Sequence, residues 1–255
     1  AKPVFVDNDE YYLINTNDVE KLISKKTKAI IAVNLYGQMA NLIELSKLAK
    51  ANNLYLIEDA AQSHGAKNKK NKDVGDYSIA AAYSFYPGKN LGGWGDGGGV
   101  TTNSKKLMEK ITAMRVYGSE NKYYHKYIGF NSRLQPFQGI VLSKKLEELN
   151  KWNVERNEIA SLYSEAFANN PKIIIPKIFD GNYHVWHLYV LRVKNRNKVI
   201  ENAKKLGVET SIHYPLPIHK QIAYKDHPQH NKVFSNANKF AKELISLPIF
   251  PLMKK

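Results

Sequence analysis

SFYPGKNLGGWGDGG, residues 84–98, sets one lysine, Lys89, behind Pro87 and Gly88 and ahead of Gly92, Gly93, Gly95, Gly97 and Gly98. A phosphate-binding P-loop needs G-x-x-x-x-G-K-[ST], but Tyr83 stands at the first glycine position and Asn90 at the hydroxyl position. A dinucleotide fingerprint is spelled by Gly93, Gly95 and Gly98, yet that motif must follow a strand and open a helix. Here the run leads into GGGVTTN, which reads as a strand. What remains is a lysine on a tight loop between two strands, held against something large and flat.

Upstream of this loop, short apolar runs alternate with helical patterns: PVFVD, DVEKLISKK, AIIAVNLYG, NLIELSKLAKANN and LYLIEDAAQ. Strand, helix, strand, helix, strand is the pattern of a mostly parallel sheet covered by helices. Thr16 or Asn17 is placed to cap the first helix, and Asn52 and Asn53 to close the second. IAAAYSFY and GGGVTTN add strands around the loop, and SKKLMEKITAMRVYG reads as a helix. Ligands of such sheets sit beyond the carboxyl ends of the strands, where Asp59, Gln62 and Ser84 fall.

From Pro136 a long helical stretch, ending near EAF, links this part to a second one. There HVWHLYVLRV reads as a strand, NRNKVIENAKKLGV as a helix and ETSIHY as a strand, a smaller α+β unit. The predicted division is residues 1–145, the carboxyl-terminal part of a large domain, and 146–255, the linking helix and small domain. A chain opening on a buried-looking strand is expected of one that starts inside the large domain.

The 255 residues are 43% hydrophobic, enough to bury a core, with no cysteine and a formal net charge of +15. Without cysteine there is no disulfide, thiolate nucleophile or cysteine-bound metal. No run of about eighteen apolar residues exists to span a bilayer, and the start AKPVFVD lacks the features of a signal peptide; a soluble, cytoplasmic protein is predicted. The positive charge raises nucleic-acid binding as an alternative. However, only five of the 38 basic residues are arginine, and the lysines are spread along the chain, so nucleic acid is not the predicted partner.

A lysine at a strand end can form a Schiff base with a carbonyl when its surroundings lower its pKa, and pyridoxal phosphate is the common aldehyde partner. Such a site needs a carboxylate for the pyridine nitrogen. Asp59, after LYLI, is placed for that, its structural alternative being a helix N-cap. Gln62 suits the ring hydroxyl, and Ser84 with the glycine run could cup the phosphate. His184 with His187, or His213 with His219, could be read as metal pairs, but no H-E-x-x-H helix or carboxylate accompanies them. No metal is predicted, and G-x-S-x-G is absent.

EDAAQSHGA, GDYSIAAAYSFYPGKNLGGWGDGGGVTTN, YGSENKYYHKYIGFNSRL and IHYPLPIHKQ together closely resemble the DegT/DnrJ/EryC1/StrS sugar aminotransferases, from PVFVD to SLPIFP. The resemblance implies an α/β chain of the fold-type I pyridoxal-phosphate transferases, with a mostly parallel sheet in a large domain and a smaller α+β carboxyl-terminal domain. It implies that Lys89 carries the cofactor, that Asp59 and Gln62 hold the ring nitrogen and hydroxyl, and that Ser84 contacts the phosphate. Asn131, in GFNSR, would reach the phosphate of a neighbouring subunit, implying a homodimer with shared sites. His213 and Tyr214 would approach the sugar, with Tyr86 and Lys122 as further substrate contacts. The implied reaction moves an amino group from glutamate to position 3 of a dTDP-linked 3-keto-6-deoxyhexose; amination at position 4, or a non-catalytic or truncated protein of this fold, are the alternatives. The family's usual NSRLD and QAA read NSRLQ and Gln138-Gly139-Ile140 here. Its amino-terminal segment, with further phosphate ligands and an aromatic that stacks on the ring, is not among these residues.

Overall fold

The computed structural model describes residues 1–253. Its main sheet contains β1 (Ala29–Val33), β2 (Tyr55–Asp59), β3 (Ala80–Ser84) and β4 (Gly98–Thr101), in that spatial order. The first three are parallel, with Val33 beside Asp59 and Asp59 beside Ala82; β4 runs antiparallel to β3. Helices α1 (Thr16–Leu22) and α2 (Leu42–Ala51) precede β1 and β2 respectively. α2 starts at Asn41, whose side chain accepts from Glu44 N, and it buries Leu42, Leu45 and Ala49, spaced at three and four residues along one face. That stripe meets Ile30, Ala32 and Leu56 of the sheet in the main core.

Only one face of this sheet is covered. Strand β1 alternates exposed and buried residues, and Ile31 and Tyr55 on the open face are 60% and 61% exposed. Asp59 and Ser84 share the side-chain parity of that face at the carboxyl ends of β2 and β3.

After α3 (Lys105–Met114), a hairpin of β5 (Ser119–Asn121) and β6 (Tyr124–His125) stands apart from the main sheet. Helix α4 (Pro136–Phe167) then spans the predicted 145/146 division, with proline in its first turn, where a missing N–H costs nothing. The second sheet is antiparallel, in the order β7 (Ile173–Ile174), β8 (Tyr189–Val193), β9 (Leu244–Leu247). With it go α5 (Arg196–Lys205) and α6 (Ser235–Glu243). Ile159 and Ala160 of α4 pack into its core with Tyr189, Leu191 and Ile245. Buried Arg156 fastens the helix there, donating to the carbonyls of Trp186 at 3.0 Å and Ile249 at 2.9 Å.

Four local expectations change. PVFVD is not a strand: Phe5 exchanges both backbone hydrogen bonds with the side chain of Gln229, at 2.7 and 3.0 Å, so it needs no neighbouring strand. The cap of α1 is Asn15, whose side chain accepts from Asn17 N. HVWHLYVLRV becomes strand only from Tyr189, because Val185 and Leu188 donate instead to the carbonyls of Gly37 and Tyr36. ETSIHY makes a single bridge, Ser211 to Ser246, in place of a strand. No helix among the described residues is long and apolar enough to cross a membrane.

Candidate active site

The site lies where β2 and β3 end. Asp59 closes β2; its carbonyl accepts from Asn34 N at 3.0 Å and its Oδ1 from Ala61 N at 3.0 Å. No helix follows, so the carboxylate caps a turn and keeps lone pairs free. Its neighbour Glu58 points the other way and is fully buried. Glu58 accepts from Asn34 Nδ2 at 2.8 Å, Gly75 N at 2.9 Å and Ser78 Oγ at 2.7 Å, and burial raises its pKa. Of two adjacent acids, one is spent on architecture and the other faces the open side of the sheet.

Gln62 sits in the turn after Asp59. Its Oε1 accepts from Tyr36 N at 2.6 Å, and its Nε2 lies 3.4 Å from the Tyr214 hydroxyl. Tyr36 in turn donates its phenol to the carbonyl of His213, whose Nδ1 is 2.8 Å from Ser246 Oγ. The structure thus brings Gln62, His213 and Tyr214 together through Tyr36, a residue that no motif or spacing singles out.

Lys89 is half-buried on the loop after β3, its N–H turned back to the carbonyl of Tyr86 at 2.9 Å. Burial lowers its pKa and the charge of Asp59 partly offsets this. The same amine depresses the pKa of His64, His187 and His213, in each case second to burial. Lys89 therefore stands among one carboxylate and three histidines biased to the neutral form. Ser84 Oγ accepts from Tyr86 N at 3.3 Å, leaving its own hydrogen free to donate.

The glycine run serves the loop's own packing. A Cβ on Gly92 would lie 2.3 Å from Pro87 O, on Gly93 2.7 Å from Gln138 Oε1, and on Gly98 2.9 Å from Tyr83 O. The nearest obstacles to side chains are the chain's own atoms, where the sequence suggests a phosphate cup.

Other predicted residues lie apart from this cluster. Tyr86 is exposed at the loop's outer edge. Lys122 sits on the turn between β5 and β6, its ammonium 5.1 Å from the Tyr123 ring. Asn131 is exposed, bridges to Val116 and accepts from Arg133 Nε at 3.0 Å. His184 is a packing residue, stacked on Trp186 at 3.8 Å, its Nδ1 accepting from Trp186 N. Among the described residues no group of three or more His, Asp or Glu could hold a metal ion.

The donor set fits pyridoxal phosphate: an amine with lowered pKa for the aldehyde, a carboxylate with free lone pairs for the pyridine nitrogen, and amide and hydroxyl groups within the same strand ends. A mostly parallel sheet with these groups at and just beyond the carboxyl ends of its strands, joined by a long helix to a small antiparallel unit, is the arrangement of a pyridoxal-phosphate-dependent transferase. The chain belongs to the DegT/DnrJ/EryC1/StrS aminotransferase family, whose sequence pattern matches residues 1–255. It is 44% identical to the dTDP-3-amino-3,6-dideoxy-alpha-D-galactopyranose transaminase of Aneurinibacillus thermoaerophilus, over 100% of this chain and 69% of that protein. To the dTDP-3-amino-3,4,6-trideoxy-alpha-D-glucose transaminase of Streptomyces venezuelae it is 38% identical, over 100% of this chain and 67% of that one. The crystal structure of S. venezuelae DesV in complex with a ketimine intermediate superposes with a TM-score of 0.96 at 38% identity, covering 99% of this chain and 68% of that one.

Proposed function

We propose that this chain moves an amino group from glutamate to position 3 of a dTDP-linked 3-keto-6-deoxyhexose, as a cytoplasmic homodimer. The observation that carries the reading is Lys89, half-buried and within the field of Asp59, in a chain similar to two dTDP-3-amino-sugar transaminases. Residues 1–145 would form the cofactor-binding part and 146–255 the linking helix and small domain.

Bound at this site, pyridoxal phosphate supplies a protonated ring that withdraws electrons from the amino donor's α-carbon. Asp59 would hold the pyridine nitrogen, Gln62 the ring hydroxyl and Ser84 the phosphate. Because burial favours the free amine at Lys89, its Nζ is ready to take the proton of the donor's α-carbon and to hand one back when the keto-sugar is aminated. His213 and Tyr214, tied to Gln62 through Tyr36, would line the sugar side, and Tyr86 and Lys122 would add contacts to the nucleotide-linked substrate.

The dimer reading rests on Asn131 and on the large apolar side chains that precede it in sequence. Tyr123, Tyr124, Ile128 and Phe130 are 80%, 77%, 96% and 63% exposed, far more than a monomer keeps on one stretch. A second copy covering them would carry Asn131 toward the other subunit's phosphate.

Incubation with glutamate and paired dTDP-linked 3-keto and 4-keto hexoses, followed by NMR of the product, tests the reaction. Nitrogen at carbon 3 is expected. Nitrogen at carbon 4 would refute the position, and absence of amino-sugar from every nucleotide-linked keto-sugar would refute the activity.

A further inference from the structure

Next to Lys89, Asn90 is 5% exposed and has every polar atom of its side chain engaged. Its Nδ2 donates to Asn153 Oδ1 at 2.9 Å and to the Val185 carbonyl at 2.8 Å; its Oδ1 lies 3.2 Å from His187 Nδ1. Asn153 belongs to α4 and passes the chain of bonds on, donating from Nδ2 to the carbonyl of His64 at 2.9 Å. Asn90 therefore joins the lysine loop to the long helix and to the segment before β8, and Asn153 extends the connection to the turn that follows Asp59.

The bonds fix more than distance. With both amide hydrogens of Asn90 committed, its oxygen must face His187, and a lone pair on Nδ1 there would oppose it. His187 thus carries a proton on Nδ1, and burial with the nearby Lys89 charge favours its neutral form. On the other side of the amine the loop is held by the turn from Lys89 N–H to the Tyr86 carbonyl, and beyond Asn90 the backbone at Gly92 packs closely on Pro87. The loop is anchored on both sides of the amine.

We infer that Asn90 and His187 form a positioning pair that sets the Lys89 amine in its half-buried place and couples it to the segment leading into the small domain. This rests on the reading of Lys89 as the cofactor-bearing lysine. The charge that acts on the amine is that of Asp59, and the amine in turn disfavours protonation of the nearby rings of His64, His187 and His213. A loop released from Asn90 lets water reach the amine, so its affinity for a proton rises.

The test reads Lys89 directly in cofactor-free protein, by trace acylation with acetic anhydride across pH and mass spectrometry of the Lys89 peptide. Asn90→Ala and His187→Phe are expected to move the apparent pKa of Lys89 up by about one unit. In the loaded enzyme they should lower kcat about tenfold or more with a smaller change in KM. His187→Asn, whose amide reproduces the Nδ1 donor, should keep wild-type values, while His187→Gln, whose amide falls at the Nε2 position, should not. The pair remains decisive if Asn90→Ala fails to fold. A wild-type Lys89 profile in folded His187→Phe overturns the inference, as does His187→Asn behaving like His187→Phe. If borohydride instead labels another lysine, the reading of Lys89 fails, and the acylation profile still reports separately on the Asn90–His187 pair.

Discussion

Tyr36 gives both of its donors to the site: its N–H reaches Gln62 Oε1 at 2.6 Å and its phenol the carbonyl of His213. A residue just past the end of β1 thus sets a side chain following β2 and a backbone group of the small unit. Gln62→Ala leaves the buried Tyr36 N–H without its partner, which costs about 1–3 kcal/mol. Chemical denaturation should show that loss, together with weakened cofactor retention. Unchanged stability would mean that water replaces the Gln62 oxygen.

Glu58 offers a sharper contrast with its neighbour. Glu58→Ala strands donors from Asn34, Gly75 and Ser78 and should destabilise the fold by about 3 kcal/mol or more. Asp59→Asn should leave the denaturation midpoint nearly unchanged while depressing transamination severely, since it removes the charge that would keep the pyridine protonated. Equal stability losses for the two would contradict the assignment of separate roles.

The alternating strands and helices before the glycine loop are legible because apolar residues recur at two and at three to four, and the strand ends then place Asp59, Gln62 and Ser84. Lys89 stands out through its loop. Tyr36, Asn90 and His187 do not, since their parts depend on partners up to 177 residues away and no local spacing records them. PVFVD misleads for a related reason: its composition suits a strand, but a glutamine side chain takes the place of the neighbouring strand. The glycines are visible in the sequence, but their cause, contact with Pro87, Gln138 and Tyr83, requires the folded loop.

Acid should loosen the fold through its buried histidines. Burial lowers His184 to about 3, and burial with the nearby Lys89 charge lowers His64 to about 4 and His187 to about 3, all from 6.5. Below pH 6.5 the unfolded chain takes up protons that the folded chain refuses, so stability falls as pH drops from about 6.5 to about 4 for His64 and to about 3 for His184 and His187, and these groups contribute nothing above that range. Each can add up to about 1.4 kcal/mol per pH unit in the window. Urea midpoints should be lower at pH 5 than at pH 7.5, with the Asp9 carboxyl, raised by burial to about 6, offsetting part of the fall; equal midpoints would contradict the account of three rings kept neutral.

Two glycines should respond in opposite directions. Gly92→Ala places a Cβ 2.3 Å from Pro87 O, and the lysine loop must shift, with loss of both stability and activity. Gly139 lies within α4, and a Cβ added there would meet nothing within 4 Å; Gly139→Ala should raise monomer stability by up to about 1 kcal/mol. Thermal melts of the two variants check the contrast.

Shared sites give a complementation result. Lys89→Ala and Asn131→Ala chains, each impaired alone, should recover on mixing about a quarter of wild-type activity, because half of the dimers would be mixed and each would hold one intact site. No recovery after proven subunit exchange would place Asn131 outside the neighbour's site.

Borohydride reduction of the cofactor-loaded protein, followed by peptide mapping, bears most directly on the account. The pyridoxyl label should fall on Lys89 alone, and Lys89→Ala should take no label and lose transamination by several orders of magnitude. A label on any other lysine, or an active Lys89→Ala enzyme, would contradict the assignment of the chemistry to this loop.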